Sequence, residues 1–226
     1  ERAKEMMGWD KGPTHWTLPN GHIRGRGVAM AMQGSGISGV DIGSVEVRLN
    51  DGGFYTMLVG CTDMGTGCDT ILAQMAADCL DCSVDDIAVR GVDTDQSPYD
   101  TGSYASATTY VTGGAVVKTC EELREKIRLE GARLLGIDPQ AAQFDGEKVF
   151  LPGTDKVMTR AEIGWASYEG HSKQLAASQS NSSPISPPPF MVGMAEVDID
   201  PGTGAVRVGD YVGVVDCGTV INKNLA

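Results

Sequence analysis

The chain lacks long apolar runs and any excess of basic residues. No run approaches the roughly 18 apolar residues that a membrane-spanning helix needs, and we recognise no charged-then-apolar leader with a cleavage site. The 18 Lys and Arg residues are outnumbered by 30 Asp and Glu residues, which gives a formal net charge of −12. This charge argues against proteins that bind nucleic acid or anionic membranes through basic patches. We expect a cytoplasmic protein.

Recognisable arrangements of residues for nucleophilic or acid–base chemistry are also scarce. None of the three histidines adjoins a serine or cysteine in a known signature. Cys79 and Cys82 form a "CLDC" pair, but the second pair that a zinc site usually needs is missing, so we interpret the six cysteines as reduced thiols. Asp93 and Asp95 could be paired carboxylates, although a charged junction between strand and loop is the favoured interpretation. We therefore predict no catalytic residue and no metal ligand in this chain.

The rest of the composition is that of a globular protein with many turns. Hydrophobic residues make up 41% of the chain, and there are 30 glycines. Helical and strand patterns alternate irregularly and hairpins are prominent, which predicts an α+β fold with layered, mostly antiparallel or mixed sheets packed against helices. We expect a lead-in segment and one domain in three parts, with the boundaries 1–24, 25–136, 137–189 and 190–226.

Local patterns place the main elements. Apolar spacing predicts helices over about 70–82 and 109–135, and Thr159 with Glu162 three residues later predicts a capping box. Hairpin turns are indicated by "NDGG", "FDGEKV" and "DPGTG". The Ser-, Asn- and Pro-containing stretch 176–189 predicts an extended loop without internal hydrogen bonding.

The stretch "TDMGTGCDT" permits two interpretations. Gly65 and Gly67 let the backbone approach a ligand, and free N–H groups at the start of the following helix favour an anion such as a phosphate. The stretch has no phosphate-loop lysine, however, and a glycine turn with Asp69 or Thr66 as the helix cap also explains it. On local sequence the capped turn is favoured, and the ligand site stays open.

A second loop has similar chemistry. Ser103, Ser106, Thr108 and Thr109 cluster where the long helix is predicted to begin, and they offer hydroxyls and backbone N–H groups to an acceptor-rich ligand. Each loop alone could be a capped helix start. Together they could converge on one extended anionic ligand.

Three ordered blocks carry a resemblance to a known family. They begin "TDMGTGCDTILAQMAAD", "VDTDQSPYDTGSYASATTYVTGG" and "SPPPFMVGMAEVDIDPGTG". In this order and spacing they resemble the molybdenum-binding part of the xanthine dehydrogenase and aldehyde oxidase family, the molybdenum hydroxylases. The likeness covers nearly the whole chain from about Gly25. It implies the molybdopterin-binding fold of that family.

The resemblance also implies a molybdopterin cofactor held by the two loops. By position, the first loop matches the family at Met64, Gly65, Thr66 and Gly67, and the second at Ser103, Ala105, Ser106 and Thr108. Thr66 is a departure, since the family commonly has glutamine there. Threonine is shorter and offers one hydroxyl, which puts a direct contact with the metal's ligands in doubt.

The family's reaction is the hydroxylation of a purine, another nitrogen heterocycle or an aldehyde with oxygen from water. Its catalytic glutamate would lie beyond Ala226, and its iron–sulfur and FAD modules would lie in partner domains or subunits. The chain starts without Met and stops after a strand pattern, so we expect a fragment of an oxidoreductase that is inactive alone. The alternative is a non-catalytic scaffold or interaction domain of a larger assembly.

Overall fold

The computed structural model describes residues 1–171 and 173–224, apart from the side chains of residues 170 and 171. It contains two compact units, each described by itself. The sheet unit comprises Glu1–Gly34 and Pro187–Val220, and the core unit comprises Ser35–Ser186 and Ile221–Ala226. The boundary predicted at residues 24 and 25 stays a prediction.

The helices and strands confirm an α+β fold with antiparallel and mixed sheets. The helices are α1 Arg2–Met7, α2 Cys68–Leu80, α3 Gly113–Leu135 and α4 Arg160–His171. The strands are β1 His15–Thr17, β2 Ile23–Met32, β3 Ile42–Leu49, β4 Tyr55–Val59, β5 Ile87–Gly91, β6 Gln143–Phe144, β7 Lys148–Phe150, β8 Val157–Thr159, β9 Ala176–Ser182, β10 Phe190–Ile199 and β11 Val206–Asp216. No helix among the described residues is long and apolar enough to cross a membrane.

The sheet unit is built on the antiparallel strand order β1-β2-β10-β11. The predicted "DPGTG" turn joins β10 to β11, and the Asp200 carboxylate accepts a hydrogen bond from the Gly202 amide (2.8 Å) inside it. Helix α1 packs on one face of this sheet, where Ala3, Met7 and Met194 are buried. The same face carries ion pairs from Arg24 and Arg26 of β2 to carboxylates of β10. Burial in this unit is therefore concentrated on one face of one sheet.

The core unit holds the main apolar core. Its larger sheet has the order β5-β4-β3-β9, with β4 and β5 parallel and the other pairs antiparallel. Helices α2 and α3 bury one face each against this sheet, because their apolar residues recur at helical spacing. The fully buried members include Val45, Met57, Leu72, Leu123 and Ile127. A small sheet, β6-β7-β8, completes the unit.

Several local predictions are confirmed. The "NDGG" and "FDGEKV" turns connect β3 to β4 and β6 to β7. The capping box at α4 is formed, since the Glu162 carboxylate accepts from the Thr159 amide (2.8 Å) and the Glu162 amide donates to the Thr159 hydroxyl (3.2 Å).

The loop predicted over 176–189 is partly wrong. Residues Ala176–Ser182 form strand β9, which pairs with β3 from Arg48 opposite Ala176 to Ile42 opposite Ser182. An edge strand needs only backbone hydrogen bonds on one side, so polar side chains such as these do not prevent it. The helix predicted from residue 109 also differs, because it begins as a π-helix at Thr108–Thr112 before α3.

Candidate functional site

The first loop connects β4 to α2 and is organised by Asp63. One oxygen of its carboxylate accepts hydrogen bonds from the amides of Gly65 (2.9 Å) and Gly67 (3.1 Å), and the other accepts from the Asp69 amide (3.3 Å). These backbone hydrogen bonds, led by the one from Gly65, lower the pKa of Asp63. The prediction that Asp69 or Thr66 caps this turn is therefore wrong: Asp63 supplies the cap and brings its own negative charge.

The glycines of this loop have conformations that other residues rarely adopt. Gly65 has a φ of 100° and Gly67 a φ of 74°. A Cβ atom added to either would meet no heavy atom within 4 Å, so packing inside the chain does not require glycine there. Met64 is 64% exposed beside them. The loop thus presents open backbone and one apolar side chain.

Ser103 joins the second loop to the first. Its hydroxyl accepts a hydrogen bond from the Thr62 amide (2.8 Å) and donates one to the Thr62 carbonyl oxygen (2.8 Å). The two residues are 41 positions apart in sequence. The structure thus brings together the two loops in which the sequence predicts a ligand site.

The next part of the second loop has unusual backbone geometry. Ala105 and Ser106 are consecutive non-glycine residues with φ values of 50° and 59°, a conformation that costs energy for residues with a Cβ atom. The Gly36 amide donates to the Ala105 carbonyl (2.8 Å) and supports this turn. Ser106 is exposed, and Thr108 is half-buried at the start of the π-helix.

The buried carboxylate of Asp41 supports the same turn through hydrogen bonds. The Tyr104 hydroxyl donates to one oxygen of Asp41 (2.6 Å), and the Ile37 amide donates to the other (2.6 Å). Asp41 is only 1% exposed. The hydrogen bond to Asp41 raises the pKa of Tyr104, so the tyrosine stays a neutral donor.

Asp100 anchors the base of the second loop in the same way as Asp63 anchors the first. Its carboxylate accepts from the Gly102 amide (2.8 Å) and from the Thr112 hydroxyl (2.8 Å). Nearby, a Cβ atom on Gly60 would lie 2.4 Å from the Pro98 carbonyl oxygen. The end of β4 and the second loop therefore approach as closely as they do only because residue 60 is glycine.

The sequence alone did not predict a role for these three carboxylates. A local rule predicts a hydrogen-bond partner correctly for two of them. Asp63 and Asp100 each precede a glycine by two residues, and an aspartate in that position accepts from the amide two residues on. Asp41 also precedes a glycine by two residues, but its carboxylate accepts from the Ile37 amide and from the Tyr104 hydroxyl, which lies 63 positions away, so this rule does not predict its partners.

The structure also shows what the predicted acid–base and metal candidates do. Asp93 accepts from the Asp95 amide (3.0 Å) and the Gln96 side chain (2.9 Å), which is turn geometry. Cys79 and Cys82 are free thiols, and burial raises the pKa of both. The ligand atoms of Asp63, Cys68 and Asp69 lie within 4.8 Å of one another. Both oxygens of the Asp63 carboxylate, however, already accept hydrogen bonds from amides of the first loop.

An open cavity of about 370 Å³ lies beside the second loop, lined by Gly60, Val92–Thr94 and Ser97–Asp100. It sits past the carboxyl ends of the parallel strands β4 and β5, where open sheets commonly bind ligands. The fold and these loops define an α+β domain that offers backbone groups, hydroxyls and a cavity at one edge. Within the described residues it offers no acid–base pair with the geometry of a catalytic centre.

The comparisons with known proteins identify the family. The model for the molybdopterin cofactor-binding domain matches residues 2–226. The chain belongs to this family. It is 33% identical over its whole length to the Escherichia coli K12 protein named "Probable hypoxanthine oxidase XdhD". It is also 29% identical, over 79% of its length, to the carbon monoxide dehydrogenase large chain of Afipia carboxidovorans.

Solved structures agree with this assignment. Carbon monoxide dehydrogenase from Oligotropha carboxidovorans matches 99% of the chain with a TM-score of 0.78 and 26% identity, and the match spans 29% of that chain. Quinoline 2-oxidoreductase from Pseudomonas putida 86 matches 99% with a TM-score of 0.76 and 25% identity, spanning 30% of that chain. The chain spans 23% of the length of each of the two curated relatives named above. The relatives are oxidoreductases, and the family resemblance drawn from the sequence is confirmed.

Proposed function

We propose that residues 1–226 form part of the molybdenum-binding subunit of a molybdenum hydroxylase. The whole enzyme would hydroxylate a purine, another nitrogen heterocycle or an aldehyde with oxygen from water. The names of two relatives support the purine and the nitrogen heterocycle, since they are a hypoxanthine oxidase and a quinoline oxidoreductase. The acidic charge of −12 suits a cytoplasmic enzyme with a small-molecule substrate and without nucleic-acid or membrane partners.

The cofactor would be held by the two loops. Met64, Gly65, Thr66 and Gly67 would contact it from the first loop, and Ser103, Ala105, Ser106 and Thr108 from the second. The observation that carries this proposal is the pair of hydrogen bonds between Ser103 and Thr62, which places the loops side by side. The open space beyond Gly65 and Gly67 fits a flat ring lying against the backbone.

The charge of Asp63 refines this assignment. The amides that could hold a phosphate in the first loop already donate to the Asp63 carboxylate. A second anion there would meet an ionised group, because the pKa of Asp63 is lowered. We assign the uncharged pterin portion to the first loop and leave the anionic portion to the hydroxyl-rich second loop.

The roles of this chain's residues are therefore binding and orientation. Oxidative hydroxylation is the chemistry that the cofactor supplies when bound. The proton acceptor would be a glutamate outside residues 1–226. Iron–sulfur and FAD groups in other domains or subunits would carry electrons away. By itself the chain would not turn over substrate.

A scaffold or interaction role without any ligand is the second candidate. Exposed apolar side chains on β11, including Val208 and Tyr211, favour an interaction surface in either case. The two candidate functions differ in whether the purified protein contains molybdenum and pterin.

The test is metal and pterin analysis of the full polypeptide that contains residues 1–226, purified with its partners from the native host. Molybdenum would be measured by mass spectrometry and the oxidised pterin by fluorescence. The proposal expects equal amounts of molybdenum and pterin, close to one per polypeptide, and hydroxylation of one of the named substrate classes. A folded, partner-bound protein that contains neither would overturn it in favour of the scaffold.

A further inference from the structure

One face of the sheet unit carries no charged side chain in strands β2, β10 and β11. The pairing places Glu196 opposite Asp210 and then Val197 opposite Val208, so Gly209 is an extra, bulged residue. Because side chains alternate along a strand, the bulge puts Val206 and Val208 on the same face as Tyr211 and Val215. We call this the uncharged face.

The opposite face is the one already described, on which α1 packs. Arg24, Arg26, Glu196 and Asp198 all project there, since they occupy matching register positions. The position of Tyr211 confirms the assignment of faces. A Cβ atom on Gly193 would lie 2.9 Å from the Tyr211 hydroxyl oxygen, so the ring crosses over Gly193 on the uncharged face.

The uncharged face is exposed in spite of its composition. Val206 is 60% exposed, Val208 67%, Tyr211 60% and Val215 59%. Single exposed apolar residues are ordinary, but a contiguous set on one sheet face is typical of an interface. Among the described residues, β11 is also an edge strand that pairs only with β10.

The size of the face distinguishes between two occupants. Three strands about 4.8 Å apart and ten residues long, at about 3.3 Å per residue, give an area of about 470 Å². A dimer of two such faces would bury about 940 Å², less than the roughly 1,200 Å² that stable complexes bury. A segment of the same polypeptide needs less area, because its effective concentration is high. The chain spans only 23% of two of its curated relatives, which leaves length for such a segment.

We propose that the uncharged face is an internal interface, covered by a segment of the same molybdenum-binding polypeptide outside residues 1–226. The inference uses from the proposed function only that the chain is part of a larger subunit. The segment presents apolar side chains to Val206, Val208, Tyr211 and Val215, and no charge. In the intact subunit these four side chains are buried.

The direct test is photo-crosslinking in the full polypeptide, with benzoylphenylalanine in place of Val208. Isotopically labelled and unlabelled protein are mixed before irradiation, so that mass spectrometry separates links within one chain from links between copies. We expect links within one chain to peptides outside residues 1–226. Links to a second copy, to a different subunit or to residues 1–226, or no link at all, would overturn the proposal.

A substitution gives an independent measurement. Val208→Asp should lower the melting temperature of the full polypeptide by several degrees more than Val157→Asp, a matched change at a 50% exposed strand valine of the core unit. Equal shifts would contradict a buried Val208. Neither test reads molybdenum, so an apo protein with a covered face would refute the proposed function and leave this interface intact.

Discussion

The core unit and the sheet unit bury apolar surface in different ways. The core unit has one continuous cluster that runs from β3 and β4 through α2 and α3 to Phe144 and Val149. The sheet unit has a small cluster of Ala3, Met7 and Met194 under α1. The core unit is therefore built to hold a geometry by itself, whereas in the sheet unit α1 covers only part of one sheet face.

This difference explains where the candidate site lies. Both loops belong to the core unit and start from buried elements, since Val59 ends β4 with no exposed surface and Val111 and Thr112 are buried in the π-helix. Loops on a rigid base can hold strained backbone such as that at Ala105 and Ser106. The unit with the larger core thus carries the two loops proposed to bind the cofactor, and the other unit carries the proposed interface.

The largest loss of unfolding free energy is expected from Leu123→Ala. Leu123 is fully buried between α3 and the sheet, and such truncations cost about 3 kcal/mol through lost burial and a residual cavity. Native-state hydrogen exchange should show the loss in core-unit amides. Protection of the sheet-unit amides should hardly change, and an equal loss there would show that the two units unfold together.

Met194→Ala should have a smaller effect, about 2 kcal/mol, confined to the sheet unit. Met194 is 2% exposed, but the buried residues of its cluster, Ala3 and Met7, lie on a short helix that can shift to fill the space. Urea denaturation measures the loss of unfolding free energy, and amide hydrogen exchange in β10 and α1 locates it. A cost above that of Leu123→Ala would break the comparison between the two cores.

Thr159→Ala tests a local feature of the core unit and should cost about 1 kcal/mol. It removes the hydroxyl that accepts from the Glu162 amide at the start of α4. Thr154→Ala is a suitable control, because that hydroxyl bonds in a surface turn with Leu151. Amide exchange in the first turn of α4 should rise for Thr159→Ala alone.

The smallest effect on overall stability is expected from protonation of Asp63 in the first loop. The pKa of Asp63 is lowered by its hydrogen bonds in the folded state. The ionised carboxylate therefore orders the first loop fully at pH values above the unfolded-state pKa near 3.8. This order is lost as the pH falls through the lower pKa of the folded state. Amide shifts of Gly65 and Gly67 followed by NMR should titrate in this acidic range.

Asp63→Asn is the matched variant for that titration. Its side chain has nearly the same size, but its single carbonyl oxygen cannot accept from all the amides as the carboxylate does. The two glycine amide shifts should then be independent of pH in the same range. A titration that persists in Asp63→Asn would assign the loop's pH dependence to another group.

Sequence patterns predicted the parts of this fold that depend on near neighbours. Helix α2 was expected over 70–82 and occupies Cys68–Leu80, and the Thr159 capping box formed as expected. Strand β9 was missed because its pairing with β3 depends on backbone groups more than 100 residues apart, with no apolar alternation to reveal it.

The same limit applies to the candidate site. The two loops could be selected from glycines, hydroxyls and the family resemblance, and the assignment of individual residues to the cofactor remains a prediction. The hydrogen bonds from Ser103 to Thr62 and from Tyr104 to Asp41 could not be predicted, because they join distant positions. Short-range rules could have found Asp63, since its carboxylate caps amides two to six residues later.

Molybdenum content of a Ser103→Ala variant shows whether the two joined loops hold the cofactor. The full polypeptide would be purified with its partners beside wild type and Ser44→Ala, whose hydroxyl lies 2.8 Å from that of Ser180 between β3 and β9. We predict a several-fold loss of molybdenum and pterin for Ser103→Ala, with a melting temperature close to that of Ser44→Ala and normal content in the control. Full molybdenum and pterin content in Ser103→Ala would contradict cofactor binding through the joined loops.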